Sequence, residues 1–171
     1  LERNLAGLAG TDDDDLNRLG RLFVDDEWSA PRFGLQHAFF LEPLLNRAAW
    51  EDLSTRESST LAHEVRLSLR GQYVFGARLI PQAEEVLGGM FSVRGYPESA
   101  VAGDDVLIAS VEYRLNLPRA FPFSEDVGEL FGGPFRWVPQ EPYGEADWSL
   151  VLKAFLDAGL AGINDPLFFE E

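Results

Sequence analysis

From Leu19 onward, hydrophobic and polar positions alternate with a period of two rather than 3.6. The cleanest stretch is 61–75. There Val65, Leu67, Leu69, Gly71, Tyr73 and Phe75 fall on one side, and Glu64, Arg66, Ser68, Arg70 and Gln72 on the other. A helix would mix these two sets, whereas a strand separates them, so the pattern predicts a strand. Segment 106–117 repeats it, with Leu107, Ala109, Val111, Tyr113, Leu115 and Leu117 opposite Ser110, Glu112, Arg114 and Asn116. The apolar pair Val106 and Ile108 precedes that polar set. Segment 32–42 is more mixed, setting Phe33, Leu35, His37, Phe39 and Leu41 against Gly34, Gln36, Ala38 and Phe40. In 148–159 an apolar face (Trp148, Leu150, Leu152, Ala154, Leu156, Ala158) opposes Ser149, Val151, Lys153, Phe155, Asp157 and Gly159. Leu, Lys and Ala also suit a helix, which competes with the strand here. A short fifth strand is expected at 19–24, joined to the second by a hairpin connection over 25–31.

Between these strands lie Pro43 with 46–59, and two long connections at 76–104 and 118–145, rich in Pro, Gly and acids. Loops of that length in a compact domain usually carry function. The acidic run 12–15 lacks the alternate ligand spacing around a glycine that calcium requires, and reads as a solvated loop. The expected fold class is therefore all-β and antiparallel.

The composition then narrows what such a sheet can be. The net charge of −15 disfavours nucleic acid as a partner, since a basic face is needed to displace counterions from phosphate. With no Cys and two His, thiol chemistry, disulfides and Cys- or His-built zinc centres are excluded, and no cofactor or metal is expected. The 46% of hydrophobic residues is enough for a core. The polar faces carry long charged side chains: Arg66, Arg70, Glu112, Arg114, Lys153 and Asp157. In a soluble sandwich that face meets bulk water. In a transmembrane β-barrel it lines a wet lumen while the apolar face meets lipid. Strands of about 9–12 residues match a tilted barrel strand and exceed the usual soluble one of about 5–6. About five strands do not close a large lumen, and the chain starts at Leu1-Glu2-Arg3 without an initiator Met or signal pattern. It is expected to be a segment of a longer protein.

One motif in the first long loop bears on function. Gly88-Gly89-Met90-Phe91-Ser92 leads into Val93-Arg94-Gly95-Tyr96-Pro97-Glu98-Ser99, and the chain runs on to the strand containing Glu112-Tyr113-Arg114. On the next-but-one strand stands Phe155-Leu156-Asp157-Ala158-Gly159. The pair, in this order and separation, resembles the haemolysin activation/secretion family of two-partner-secretion outer-membrane transporters (ShlB/FhaC/HecB). That family belongs to the superfamily that includes the barrel-assembly insertases. Its hallmarks are a Val-Arg-Gly-Tyr element at the tip of the sixth surface loop and a Phe-x-Asp-x-Gly element on the barrel wall. The resemblance covers the chain from about Leu19 and is firmest over 61–159.

It implies an antiparallel barrel of about sixteen strands. This chain would supply about five of them as a C-terminal barrel fragment, without the preceding periplasmic POTRA domains or the closing strands. The 76–104 loop would fold inward, and Arg94 would pair with Asp157 on the wall. The alternation agrees, because it puts Phe155, Asp157 and Gly159 on the polar face. Gly95 would let the tip turn and Gly159 would leave room for the incoming backbone, while Tyr96 could pack its ring and keep its hydroxyl wet. Arg66, Arg70, Glu112, Arg114 and Lys153 would form a general polar network facing the lumen.

The implied function is translocation of a partner exoprotein from periplasm to cell surface, in the outer membrane of a diderm bacterium. Its partners would be that exoprotein, outer-membrane lipid and the POTRA domains of the same parent chain. The alternative within the architecture is a factor that assembles other barrels. The long 118–145 connection departs from the short turns expected at that end, and reads either as an insertion packed on itself or as a contact surface. The rival from another class is a soluble β-rich enzyme using carboxylate pairs such as Glu84/Glu85 or Asp104/Asp105. Neighbours on a strand point to opposite faces, and His37 and His63 both fall on apolar faces, so neither a carboxylate pair nor a Ser–His–Asp site is supported. The chain is expected not to be an enzyme.

Overall fold

A computed structural model describes residues 1–8, 12–52, 54 and 61–168. The chain is mostly antiparallel β-structure with a few short helices. Four long strands form one sheet: β3 (Arg32–Phe40), β4 (His63–Gln72), β7 (Asp105–Asn116) and β10 (Val151–Gly162), in the order β10-β7-β4-β3. Three two-stranded sheets are also present: β1 (Glu2–Asn4) with β2 (Trp28–Ala30), β5 (Glu85–Leu87) with β6 (Val101–Gly103), and β8 (Gly128–Leu130) with β9 (Gly133–Phe135). The helices α1 (Asp13–Leu16), α2 (Glu42–Leu45) and α3 (Arg47–Glu51) are one turn or little more.

Local chemistry stops each long strand. β3 runs into α2, where the Glu42 carboxylate accepts from the backbone N–H groups of Ala62 (2.5 Å) and His63 (2.8 Å) and so fixes the start of β4. Asn46 caps α3 by accepting from the Ala49 N–H. β4 ends at buried Gln72, whose amide donates to the carbonyls of Ala83 and Asp104. Bonds from Leu117 N–H to Leu150 O and from Asp104 N–H to Gly162 O close the β7–β10 ladder at its two ends.

Several expectations are corrected. No strand forms at 19–24: the segment follows a 3-10 turn (Asn17–Leu19), and Gly20 and Phe23 both have positive φ, +109° and +57°. The Asn17 side chain takes the Phe23 and Val24 N–H groups, withdrawing both from a ladder. A strand instead forms at β1, where none was expected, and it pairs with β2 inside the expected 25–31 connection. The strand at 61–75 shortens to 63–72 because the Val74 N–H is taken by Asp105 Oδ1 and Phe75 turns to φ +56°. The last strand is a strand and not a helix, displaced to 151–162. The loop over 76–104 has its own stem, β5–β6, and the connection over 118–145 carries β8–β9. Part of the connection expected at 46–59 lies outside the described residues.

The chain divides into two compact units. The first comprises Leu1–Gln36, Ser68–Ser110 and Asp157–Glu171. Its core has two apolar clusters, one of Trp28, Ala30, Val74, Leu79 and Ala83, the other of Leu87, Val93, Val106 and Ile108. The second comprises His37–Leu67 and Val111–Leu156. Here aromatic contacts matter most: Trp137 packs edge-on against Phe135 and Trp148, Trp50 against Tyr143, and the Trp148 indole donates to Trp137 O. Within this unit, the connection expected at 118–145 is held to itself by bonds from Ser124 N–H to Pro139 O and from the Gln140 amide to Glu125 O.

Candidate functional site

The site grows from the β5–β6 stem of the first unit. Glu85 pairs with Gly103, Val86 with Ala102 and Leu87 with Val101, so residues 88–100 hang from two adjacent strand ends. Gly88 (φ +109°) and Gly89 (φ +90°) open the tip in a backbone region that glycine enters without steric cost. The tip then bonds to itself. Gly89 N–H donates to Tyr96 O and Ser92 N–H to Gly89 O, while the Ser92 hydroxyl donates to Gly88 O and accepts from Gly88 N–H.

This geometry buries Val93 against Leu87, Val106 and Ile108. The apolar pair Val106 and Ile108, which interrupts the polar face of β7, is thus the floor on which the loop rests. The next residue is thereby aimed at β10. Arg94 Nε donates to Asp157 Oδ2 at 2.7 Å and Arg94 Nη2 to Oδ1 at 2.8 Å, the parallel two-bond geometry special to a guanidinium and a carboxylate. The Arg94 backbone N–H adds a third bond to Oδ2 at 3.0 Å. Asp157 is almost fully enclosed, with 1% of its side chain exposed against 24% for Arg94.

Sequence reasoning missed one member. Ser110 on β7 donates its hydroxyl to Asp157 Oδ1 at 2.6 Å and accepts from Arg94 Nη2 at 3.0 Å. The carboxylate therefore receives four hydrogen bonds, two on each oxygen. Ser110 lies on the expected polar face, and aligning β7 with β10 in antiparallel register would have set it beside Asp157.

The other predicted residues are distributed as follows. Gly159 lies under the loop, where an added Cβ would stand 2.8 Å from Val93 Cγ2 and 3.2 Å from a Leu87 methyl. Gly95 has φ +96° with open space around it, so its turn rather than close packing calls for glycine. Tyr96 is exposed and lines a cleft of about 390 Å³ with Leu87, Val93 and Asp157. Phe155 is half exposed, in the second unit. In that unit Arg114 pairs with Glu112 (2.6 Å) and stands 3.7 Å from Glu64, which also holds Arg66 at 2.8 Å. Lys153 has no ion-pair partner among the described residues. In the first unit Arg70 braces the loop instead, reaching Glu85 Oε1 (3.2 Å) and Phe91 O (3.3 Å).

Other chemistry-bearing residues lie elsewhere. His63 meets the Tyr113 hydroxyl through Nδ1 at 2.6 Å and stacks on its ring. His37 is exposed beside Phe39. Among the described residues no group of three His, Asp or Glu side chains could hold a metal ion, and no helix is long and apolar enough to cross a membrane. No protein-family model, curated protein or solved structure matches the chain.

Proposed function

We propose that this chain is a section of an outer-membrane β-barrel that translocates a partner exoprotein from periplasm to cell surface, as in two-partner secretion. The observation that carries the reading is the Arg94–Asp157 clasp. A Val-Arg-Gly-Tyr loop tip lies on one sheet face and engages the aspartate of a Phe-x-Asp-x-Gly strand through a bidentate pair. The opposite face adds support. In the first unit Leu35, Tyr73, Leu107 and Leu160 are exposed there, and in the second Leu67, Val111, Leu152 and Leu156. Uncovered leucines at alternate positions of long strands suit a surface solvated by lipid rather than water.

On this reading the clasped loop braces or occludes a lumen, and no bond in the substrate is broken. Edge strands β3 and β10 would pair with further strands of a barrel of about sixteen. The partners are the exoprotein, outer-membrane lipid and POTRA domains of the same protein, and the location is the outer membrane of a diderm bacterium.

The test is secretion by the protein that carries this chain. Arg94→Ala is expected to lower export of the exoprotein while the barrel still inserts at normal abundance. Normal export at normal abundance would overturn the assigned role. Loss of several unrelated outer-membrane proteins on depletion, with export intact, would replace secretion by barrel assembly.

A further inference from the structure

The loop that presents Arg94 is held at a second place, by a residue from the distant 17–24 segment. Arg21 Nη1 and Nη2 donate to the two oxygens of Asp104 at 2.6 and 3.0 Å, and Nη1 also meets Glu84 Oε1 at 2.7 Å and Leu79 O at 2.9 Å. Asp104 is fully buried and also accepts from Leu79 N–H and Asn164 N–H. Glu84 and Asp104 immediately flank the stem strands β5 and β6. A fork-shaped cation thus ties both feet of the stem to one point. The Asp104 N–H bond to Gly162 O joins that point to the end of β10.

The two clasps differ in access to water. The Arg21 side chain is 6% exposed and the Arg94 side chain 24%. Water and salt compete with a partly exposed pair and scarcely reach a buried one. Above the stem, residues 88–100 are bonded mainly to each other, and reach other segments through Arg94, Val93 and the Phe91 carbonyl. We infer that Arg21 is a positioning residue for Arg94: it holds the stem fixed, so that opening of the Arg94–Asp157 clasp releases only the tip, residues 88–100. Gly88 and Gly89 lie at the boundary where such motion would be taken up.

This chain has no cysteine, so engineered thiols within it have no native thiol of the chain beside them. Two label pairs share a site at Leu160→Cys on β10. One adds Tyr96→Cys at the tip, the other Val86→Cys in the stem; all three positions are exposed. Pulsed electron-spin distance measurements on the full protein in lipid vesicles read each pair. Arg94→Ala is expected to lose the narrow 96–160 distance and keep the 86–160 one. Arg21→Ala is expected to lose both, although Arg94 and Asp157 are intact.

Loss of both distances in Arg94→Ala would mean that the loop moves as a whole, and would overturn the proposal. So would an unchanged 96–160 distance in Arg21→Ala. Should Arg21→Ala fail to fold, Glu84→Ala decides, since it removes the acceptor at one foot of the stem and leaves the Asp104 pair: a broadened 86–160 distance supports the proposal and an unchanged one overturns it. The measurement requires no secretion, so its failure is distinct from failure of the transport reading.

Discussion

Val93 rests on the bare backbone of Gly159, leaving no room there for a methyl group: a Cβ would stand 2.8 Å from Val93 Cγ2. The loop and strand β10 are therefore matched in shape as well as charge. Gly159→Val is expected to unseat the loop tip at a cost of about 1–3 kcal/mol, the usual penalty for overpacking. Hydrogen exchange checks it: the Arg94 amide, bonded to Asp157 Oδ2, should exchange faster while amides of β7 stay protected.

The pairing of Arg94 with Asp157 should be cooperative rather than a sum of separate contributions. A double-mutant cycle of Arg94→Lys and Asp157→Asn, read by the same protection of the residue 94 amide, is expected to be non-additive. The coupling should be about 1.5–3 kcal/mol, the range for hydrogen bonds to charged groups. Additive effects would mean that the two side chains are neighbours without mutual dependence.

Ser110 fills the remaining position on Asp157 Oδ1. Ser110→Ala removes one donor from a carboxylate that keeps three others, so a loss of about 1 kcal/mol of loop seating is expected. Ser110→Thr, which retains the hydroxyl, should fall closer to the parent. Equal losses in the two variants would remove the hydrogen bond as the cause.

Outside the long strands, the Arg136 guanidinium, bonded to the Asp147 carboxylate at 2.6 Å, holds that carboxyl below its ordinary value of 3.8. A group depressed on folding adds stability above its unfolded value, and that contribution disappears as pH falls through the folded value. The window therefore opens near pH 3.8 and extends downward. Carbon-detected titration of Asp147 should give a midpoint below 3.8 that rises in Arg136→Ala.

What the sequence disclosed follows from the range of the forces involved. Strand β7 spans 105–116 against an expected 106–117, because apolar and polar positions alternate from Ala109 to Asn116, a period that only a strand sorts onto two faces. The Arg94–Asp157 contact was legible because both motifs stand in recognisable positions on either side of β7. The run Leu19-Gly20-Arg21-Leu22-Phe23-Val24 is apolar enough to read as a strand, yet Arg21 is buried by a partner 83 residues away. Local periodicity carries no trace of such a partner. Asp104 was noticed beside Asp105, as a pair facing opposite ways; their separate bonds, one to Arg21 and one to the Val74 N–H, fit that reading. The stem β5–β6 escaped notice because three-residue strands are too short to show a period.

The third bond in the clasp, from the Arg94 backbone N–H to Asp157 Oδ2, makes the two partners unequal. No substitution at position 94 short of proline deletes a main-chain donor, so Arg94→Ala retains a remnant of the attachment. Asp157→Ala removes the common acceptor and with it every bond the loop makes to that side chain. The two alanine variants are thus not mirror images. Asp157→Ala should give the more severe phenotype, and the difference between them measures how far the chain's own peptide group, independent of side-chain identity, recognises the strand beneath it.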